Sequence, residues 1–429
     1  YDILLIFRAN AAVANQRETH TMKYTKLERN WVMYDVGNSA LVLLQTSVVP
    51  IYFNALAAGA SSAGLVTAWA NAQTVASLVV AFLMPGNKIK FFIGFFLTGL
   101  VLCFAQAVPM SAMAFLVIYV ICTVGLNSSM TFYDAMLPDI TTDERMDAVS
   151  SSGYAWGYIG STIPFIICLA LIMAGPSALG LETMFCTRMA FVITGVWWLV
   201  FTLPLLRTYK QKYGRERSSE DTLGHIVSGV FSEVAHTMKE IARDKVVLLY
   251  MVAFFFYIDG VHTVISMATS YGSSLGIDST QLVLALLVTQ FVAFPSAIIY
   301  GKLAGRVGTL RMITVAVVAY MCIVLFAAFF LKTATEFWIL AILVGMFQGG
   351  VQALSRSYFG KIIPKEKSNE YYGFFDIFGR YASVMGTLLV SVVTSLTGDP
   401  SLGVLSIGIL LVVGFVLLVK LSKMQGSAA

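Results

Sequence analysis

The chain has 429 residues and a formal net charge of +5; 58% of its residues are hydrophobic and only 12% are charged. A soluble domain carries about 25% charged side chains, so this chain cannot cover itself with polar surface, and a water-soluble globular protein is excluded. Its solvent is lipid, and the basic excess has to be read from where it falls along the chain.

The chain opens on Tyr1, and the apolar stretch Ile3 to Phe7 is far too short to cross a bilayer. It is followed by no small-residue cleavage site, so no signal peptide is expected. Met22 reads as the start of the native protein, with 1–21 an upstream addition or a short tail. A span needs about 20 mostly apolar residues. Such runs place spans at 31–54, 62–84, 91–109, 112–133, 152–174 and 188–206, then at 246–268, 280–300, 312–331, 336–355, 373–396 and 402–420. The fold class expected is all-α, with twelve transmembrane helices in two pseudo-symmetric six-helix bundles, 31–206 and 246–420. A cytoplasmic tail (1–30), a linker (207–245) and a short C-terminal tail (421–429) complete the chain. The linker carries Arg207, Lys210, Lys212, Arg215 and Arg217. After them comes an amphipathic stretch with Ile226, Val230, Val234 and Ile241, expected to lie as a helix on the membrane surface.

Orientation follows from lysine and arginine. With the N-terminus inside, 25 of the 28 basic residues fall in cytoplasmic segments; only Arg188 and Lys332 lie at outer ends, and Arg380 lies within a span. Both termini are expected in the cytoplasm of a bacterial-type plasma membrane. The charge of +5 is then a positive-inside signature, and no nucleic-acid partner is expected. The five cysteines lack disulfide or metal spacing, and the four histidines are scattered, so neither a cofactor nor a metal site is expected. The aromatic residues, 13% of the chain, are expected mostly at lipid-facing or interfacial positions.

The two halves repeat. Tyr34-Asp35-Val-Gly37 in span 1 corresponds to Tyr257-Ile-Asp259-Gly260 in span 7, at an offset of 224. Gly86-Asn-Lys88 corresponds to Gly308-Thr-Leu-Arg311 at 222, and Leu137-Pro138 to Ile363-Pro364 at 226. Three matches in one order and at nearly one offset indicate duplication of a six-helix unit, with a site expected near the midplane between the copies.

Three stretches carry a family resemblance. They are Trp31-Val-Met-Tyr34-Asp35-Val-Gly37-Asn38-Ser39-Ala40, then Gly349-Gly350-Val-Gln352-Ala-Leu-Ser355-Arg356-Ser357-Tyr358-Phe359, and Tyr372-Gly373-Phe-Phe-Asp376 leading to Gly379-Arg380. The chain resembles the branch of the major facilitator superfamily related to the autophagy-linked vacuolar amino-acid effluxers. That resemblance implies a twelve-helix transporter of a small solute; amino-acid export is the activity of the fungal members. One departure is plain. The superfamily's Gly-x-Leu-Ala-Asp-x-x-Gly-x-Arg/Lys loop is shortened to Met84-Pro85-Gly86-Asn87-Lys88 between spans 2 and 3. Its second copy, the cytoplasmic gate loop with Gly301, Arg306, Gly308 and Arg311, has Gly305 in place of the acid.

An ionisable residue inside hydrocarbon is costly and is a functional candidate by default. Asp259 sits fourteen residues into span 7, roughly 20 Å deep at helical rise. It can carry a coupling proton, with His262 one turn on, or pin span 7 to a neighbour. Asp35, Asn38 and Gln45 form one polar stripe on span 1, suited to a cavity or to helix packing. Gln348, Gln352 and Arg356 form one face of span 10 and, with the acids, offer both charge signs to a zwitterionic cargo. Asp376 and Arg380, at i and i+4, form either a self-neutralised pair or a gate. The glycines Gly153, Gly157 and Gly160 in span 5, with Gly379 and Gly386 in span 11, read as close-packing faces.

The function expected is secondary active transport of a small solute, such as an amino acid, by alternating access with proton coupling. The partners expected are the bilayer, the solute and protons, in a monomer. A transporter-fold sensor without flux stays open, given the missing gate acids. No His-Glu-x-x-His, Gly-x-Ser-x-Gly or nucleotide-binding loop occurs, so neither an intramembrane enzyme nor ATP drive is expected.

Overall fold

The structure, a computed structural model, describes residues 23–57, 87–213 and 235–426. Span 2, the upstream residues 1–22 and the linker's 214–234 lie outside the described residues. The long helices among the described residues are α1 (Lys26–Leu56), α2 (Lys88–Ala105), α3 (Ala112–Ala135), α5 (Asp143–Leu179), α6 (Thr183–Thr208), α7 (Lys245–Ser274), α8 (Ser279–Val307), α9 (Thr309–Phe329), α10 (Ala334–Ile362), α11 (Ser368–Thr397) and α12 (Pro400–Gly426). A single turn, α4 (Leu137–Ile140), follows α3, with Pro138 in its first turn where a missing N–H costs nothing. Ten of the long helices are apolar and long enough to cross a membrane.

Several helices start ahead of the expected spans, α6 at Thr183 and α11 at Ser368 among them, and for two others the physical reason is plain. α1 begins at Lys26, five residues ahead of the expected start, because Thr25 and Glu28 form a reciprocal capping box at its N-terminus. Asp35 is therefore roughly 14 Å along the helix rather than at its edge. α5 runs from Asp143, well ahead of the expected 152, because its polar first turns have partners across the protein instead of solvent.

The buried apolar side chains fall into two clusters. One draws on residues from Trp31 to Tyr209 and the other mainly on residues from Ile241 to Leu421. Both are rich in aromatic rings, against the expectation that these would mostly face lipid. Trp31, Tyr34, Tyr133 and Trp198 are fully buried in the first cluster, and Tyr250, Tyr257, Tyr320 and Tyr372 in the second. The reason is ring packing: Trp31 stacks on Tyr133 at 4.3 Å and Phe254 on Phe375 at 4.0 Å.

The clusters meet along a seam where α5 runs against α8 and α10. Close approach there depends on small residues: a Cβ at Gly301 of α8 would lie 2.6 Å from the Ser151 side chain of α5, and one at Gly349 of α10 would lie 2.9 Å from Tyr158. The linker is fastened at both described ends. On the first side, the buried Asp139 carboxylate accepts from Lys88 Nζ, the Tyr209 hydroxyl and the backbone N–H groups of Lys212 and Tyr213. On the second side, residues 235–243 are helical. There Glu240 receives Lys367 Nζ at 2.6 Å, Thr237 donates to Glu370 and Ile241 is buried. Ile226, Val230 and Val234 lie outside the described residues.

At the contact of α2 with α3, a Cβ on Gly125 would meet backbone, 2.6 Å from Gly99 N and 2.9 Å from Phe95 O. Gly125→Ala is expected to cost about 1–3 kcal/mol by overpacking. A lower melting temperature in detergent would register it, while Gly94→Ala, with nothing within 4 Å, leaves the temperature unchanged.

Candidate functional site

The helix termini that begin with α1 are gathered at one end, here termed basal. Arg145 of α5 holds Glu28 and the Lys23 carbonyl beside the start of α1. Asp134 at the end of α3 and Lys361 near the end of α10 both reach across the seam.

The centre of the basal seam is Arg356 of α10, with its side chain 3% exposed. Its guanidinium donates to Asp134 Oδ1 of α3 at 2.8 Å, to Asp35 Oδ2 of α1 at 3.3 Å, and to the Ser150 hydroxyl and carbonyl of α5 at 2.9 and 3.0 Å. All these acceptors belong to the first half. Three rings of that half surround the same group, Tyr154 at 4.5 Å, Trp31 at 4.7 Å and Tyr133 at 5.5 Å from the guanidinium carbon. The rings are themselves fixed: Trp31 Nε1 donates to the Tyr133 carbonyl, and the Tyr133 hydroxyl donates to Asp35 Oδ2. Behind Arg356, the hydroxyls of Tyr250 and Tyr257 on α7 bond to Ser355, and Tyr372 of α11 donates to the Arg356 carbonyl.

A second group lies one turn toward the basal surface. Asp147 of α5 accepts from Ser357 Oγ at 2.6 Å, Thr309 Oγ1 at 2.7 Å and Lys361 Nζ at 2.7 Å, all from the second half. Lys365 and Asp143 add a more exposed pair at 2.9 Å. A third link joins α3 and α11, where the Thr131 hydroxyl donates to Asp376.

The structure brings some of the residues expected from sequence into this seam and places others elsewhere. Asp35 and Asn38 stand together on α1, with Asn38 Nδ2 donating to Asp35 at 3.3 Å. Gln45 turns into the first half, toward Thr123 of α3. Gln348 is buried and Gln352 half-buried on α10. Arg356 is engaged by carboxylates instead of facing an open path. Asp376 meets Thr131; the Arg380 side chain lies outside the described residues. In the gate loop, Gly301 packs on α5, Gly308 takes φ of +104° before α9, and Arg306 and Arg311 are exposed.

Asp259 is fully buried within the second half. Its Oδ1 accepts from the Gly386 backbone N–H of α11 at 2.9 Å and from Thr263 Oγ1 at 3.2 Å. Its Oδ2 is buried with no hydrogen-bond partner. His262 is half-buried one turn on.

Sequence reading missed Asp147, Ser150, Tyr154 and Lys361. A signal was available: the acid absent from the gate loop at Gly305 leaves an unmatched basic partner, and an acid on the facing helix could have been sought. Among the described residues no cluster of metal-ligating side chains forms.

The family profile described as "Vacuole effluxer Atg22 like" matches residues 77–429. An uncharacterized MFS-type transporter of Bacillus subtilis, YxiO, is 41% identical over 412 residues, covering 92% of this chain and 95% of that protein. This chain belongs to the Atg22-like branch of the major facilitator superfamily. The autophagy-related protein 22 of Yarrowia lipolytica is 28% identical over 274 residues, spanning 58% of the chain but 46% of the longer fungal protein. Among solved structures, that of the Escherichia coli fucose:proton symporter FucP superposes with a TM-score of 0.69 at 15% identity, covering 92% of this chain and 97% of that one. The Atg22-like chain is thus a multi-pass helical membrane protein of the major facilitator fold, and its family places it among secondary transporters.

Gly153 is the tightest point of the seam: a Cβ there would lie 2.3 Å from Asp35 Oδ2 and 3.0 Å from Arg356 Nη2. Gly153→Ala is expected to part Arg356 from Asp35. It should lower the melting temperature and raise the rate at which a maleimide labels cysteine placed at Ser150.

Proposed function

We propose that this Atg22-like transporter moves a small zwitterion of the amino-acid class by alternating access, coupled to protons, with 31–206 and 246–420 as the two moving bodies. The observation that carries the reading is Arg356, a guanidinium of one half held by the carboxylates of the other. Such a contact is favourable only while the basal seam is closed. Its bonds are polar, so when the seam opens each can be replaced by water instead of exposing a large apolar face. This makes the closed state reversible, as a transport cycle requires.

The positive-inside distribution supports a cytoplasmic basal end and cytoplasmic termini. A single chain suffices as the working unit, because the seam lies between its own halves. Gln348 and Gln352, on the same face of α10 as Arg356, offer neutral polar contacts beside charges of both signs. That combination suits a zwitterion, and the family's effluxer description supports export.

Asp259 is the group assigned to the proton. An ionised carboxylate in the membrane interior costs several kcal/mol unless a cation compensates it. Asp259 has two neutral donors on one oxygen and none on the other. Oδ2 is the atom assigned to the coupling proton, and its release requires a rearrangement of α7 against α11.

In liposomes with a trapped pH dye, a screen of amino acids should find cargo-driven proton movement with the wild type. Asp259→Asn should abolish that proton movement while counterflow of labelled cargo persists. Equal proton flux in wild type and variant would remove Asp259 from the coupling. Cargo binding without flux of any kind would make the protein a sensor.

A further inference from the structure

We infer that the box formed by Asp35, Asp134, Trp31, Tyr133 and Tyr154 is a receptor for the guanidinium group of a cargo, and that Arg356 is its resident occupant while the seam is closed. The inference rests on the alternating-access reading, because the box opens to a ligand only when the halves part at the basal end.

The groups of the box and its occupant belong to different halves. Both acids and all three rings belong to the first half, whereas the cation between them comes from the second. Three of its five members are fixed by contacts internal to their own half: Trp31 Nε1 on the Tyr133 carbonyl, the Trp31–Tyr133 stack, and the Tyr133 hydroxyl on Asp35. None of these depends on Arg356. When the seam parts, Arg356 leaves, and Trp31, Tyr133 and Asp35 keep their mutual contacts, with Asp134 and Tyr154 beside them on the same half.

That remainder has the chemistry of a cation site. Aromatic faces attract a delocalised cation, and carboxylates pair with its N–H groups. The two carboxylates facing Arg356 exceed its charge by one, and Asp376 stands nearby through Thr131. Without the arginine the box is strongly acidic, and solvation by water alone leaves the rings without a partner. A cargo cation would fill the same contacts, compete with Arg356 and so favour the open seam. Specificity then follows from competition: a cargo lacking the cation cannot displace the arginine.

The test uses the full-length protein in detergent. Arg356→Ala vacates the box, and millimolar guanidinium chloride is expected to raise its melting temperature in a saturable way, on the order of 3 °C at tenfold excess over the dissociation constant. Sodium chloride at equal ionic strength and urea should not. Adding Asp134→Asn to Arg356→Ala should remove the guanidinium effect. The inference is overturned if a folded Arg356→Ala responds to guanidinium as it does to sodium.

If Arg356→Ala does not fold, the wild type in vesicles decides, with arginine compared against citrulline, which carries a neutral ureido group of the same shape. Arginine should be taken up in preference, with a KM roughly tenfold or more below that of citrulline, as loss of a charged hydrogen bond implies. Uptake of citrulline equal to that of arginine sinks the cation box and leaves the transport reading standing. A guanidinium-specific shift without flux of any cargo does the reverse.

Discussion

Everything at the basal seam depends on one constraint: a guanidinium has been taken out of water and must have its charge and its donors met. Arg356 uses carboxylates for the charge, the Ser150 hydroxyl and carbonyl for its remaining N–H groups, and three ring faces for its flat surfaces. Removing one partner of such a buried pair costs about 3–5 kcal/mol, because the other charge is left uncompensated. That penalty explains the order around it. The capping box that extends α1, the polar first turns of α5 and the glycine at position 153 all serve to bring first-half acceptors within reach of one second-half side chain. Asp147 applies the same logic nearer the surface, collecting two hydroxyls and an ammonium from α9 and α10. The acid missing from the gate loop is in effect supplied by the facing helix.

The internal repeat gives this arrangement a second copy with a different outcome. In the first half, the aspartate of α1 lies against Gly153 of α5; in the second, Asp259 of α7 lies against Gly386 of α11, where a Cβ would fall 2.6 Å from its Oδ1. Both copies keep a carboxylate over a glycine. In the first, the space beside it admits an arginine from the other half. In the second, the carboxylate takes the glycine's own N–H and remains within its bundle. A duplicated unit has thus been divided into a group that joins the halves and a group held within its own half.

Among the described residues the spans were legible because bilayer thickness writes itself directly into apolar run length, while the helix limits were displaced. Lys26 and Asp143 lie outside the apolar runs, and hydropathy cannot detect that a polar turn is stabilised by a cap or by a partner far along the chain. Asp35, Asp259 and Arg356 stood out as charges inside apolar sequence. Their partners did not: Arg356 and Asp35 are 321 positions apart, and nothing local to either one indicates the other. The aromatic residues were misplaced for a related reason, since a ring's preference for another ring's edge or face cannot be read from composition.

The fastening of the linker has a consequence for the scale of motion. Its first residues are bound to the first half through Asp139, and residues 235–243 are bound to the second through Glu240 and Thr237. Each end is therefore carried by its own half, and any change in the distance between Tyr213 and Ala235 reads out the displacement of one half against the other.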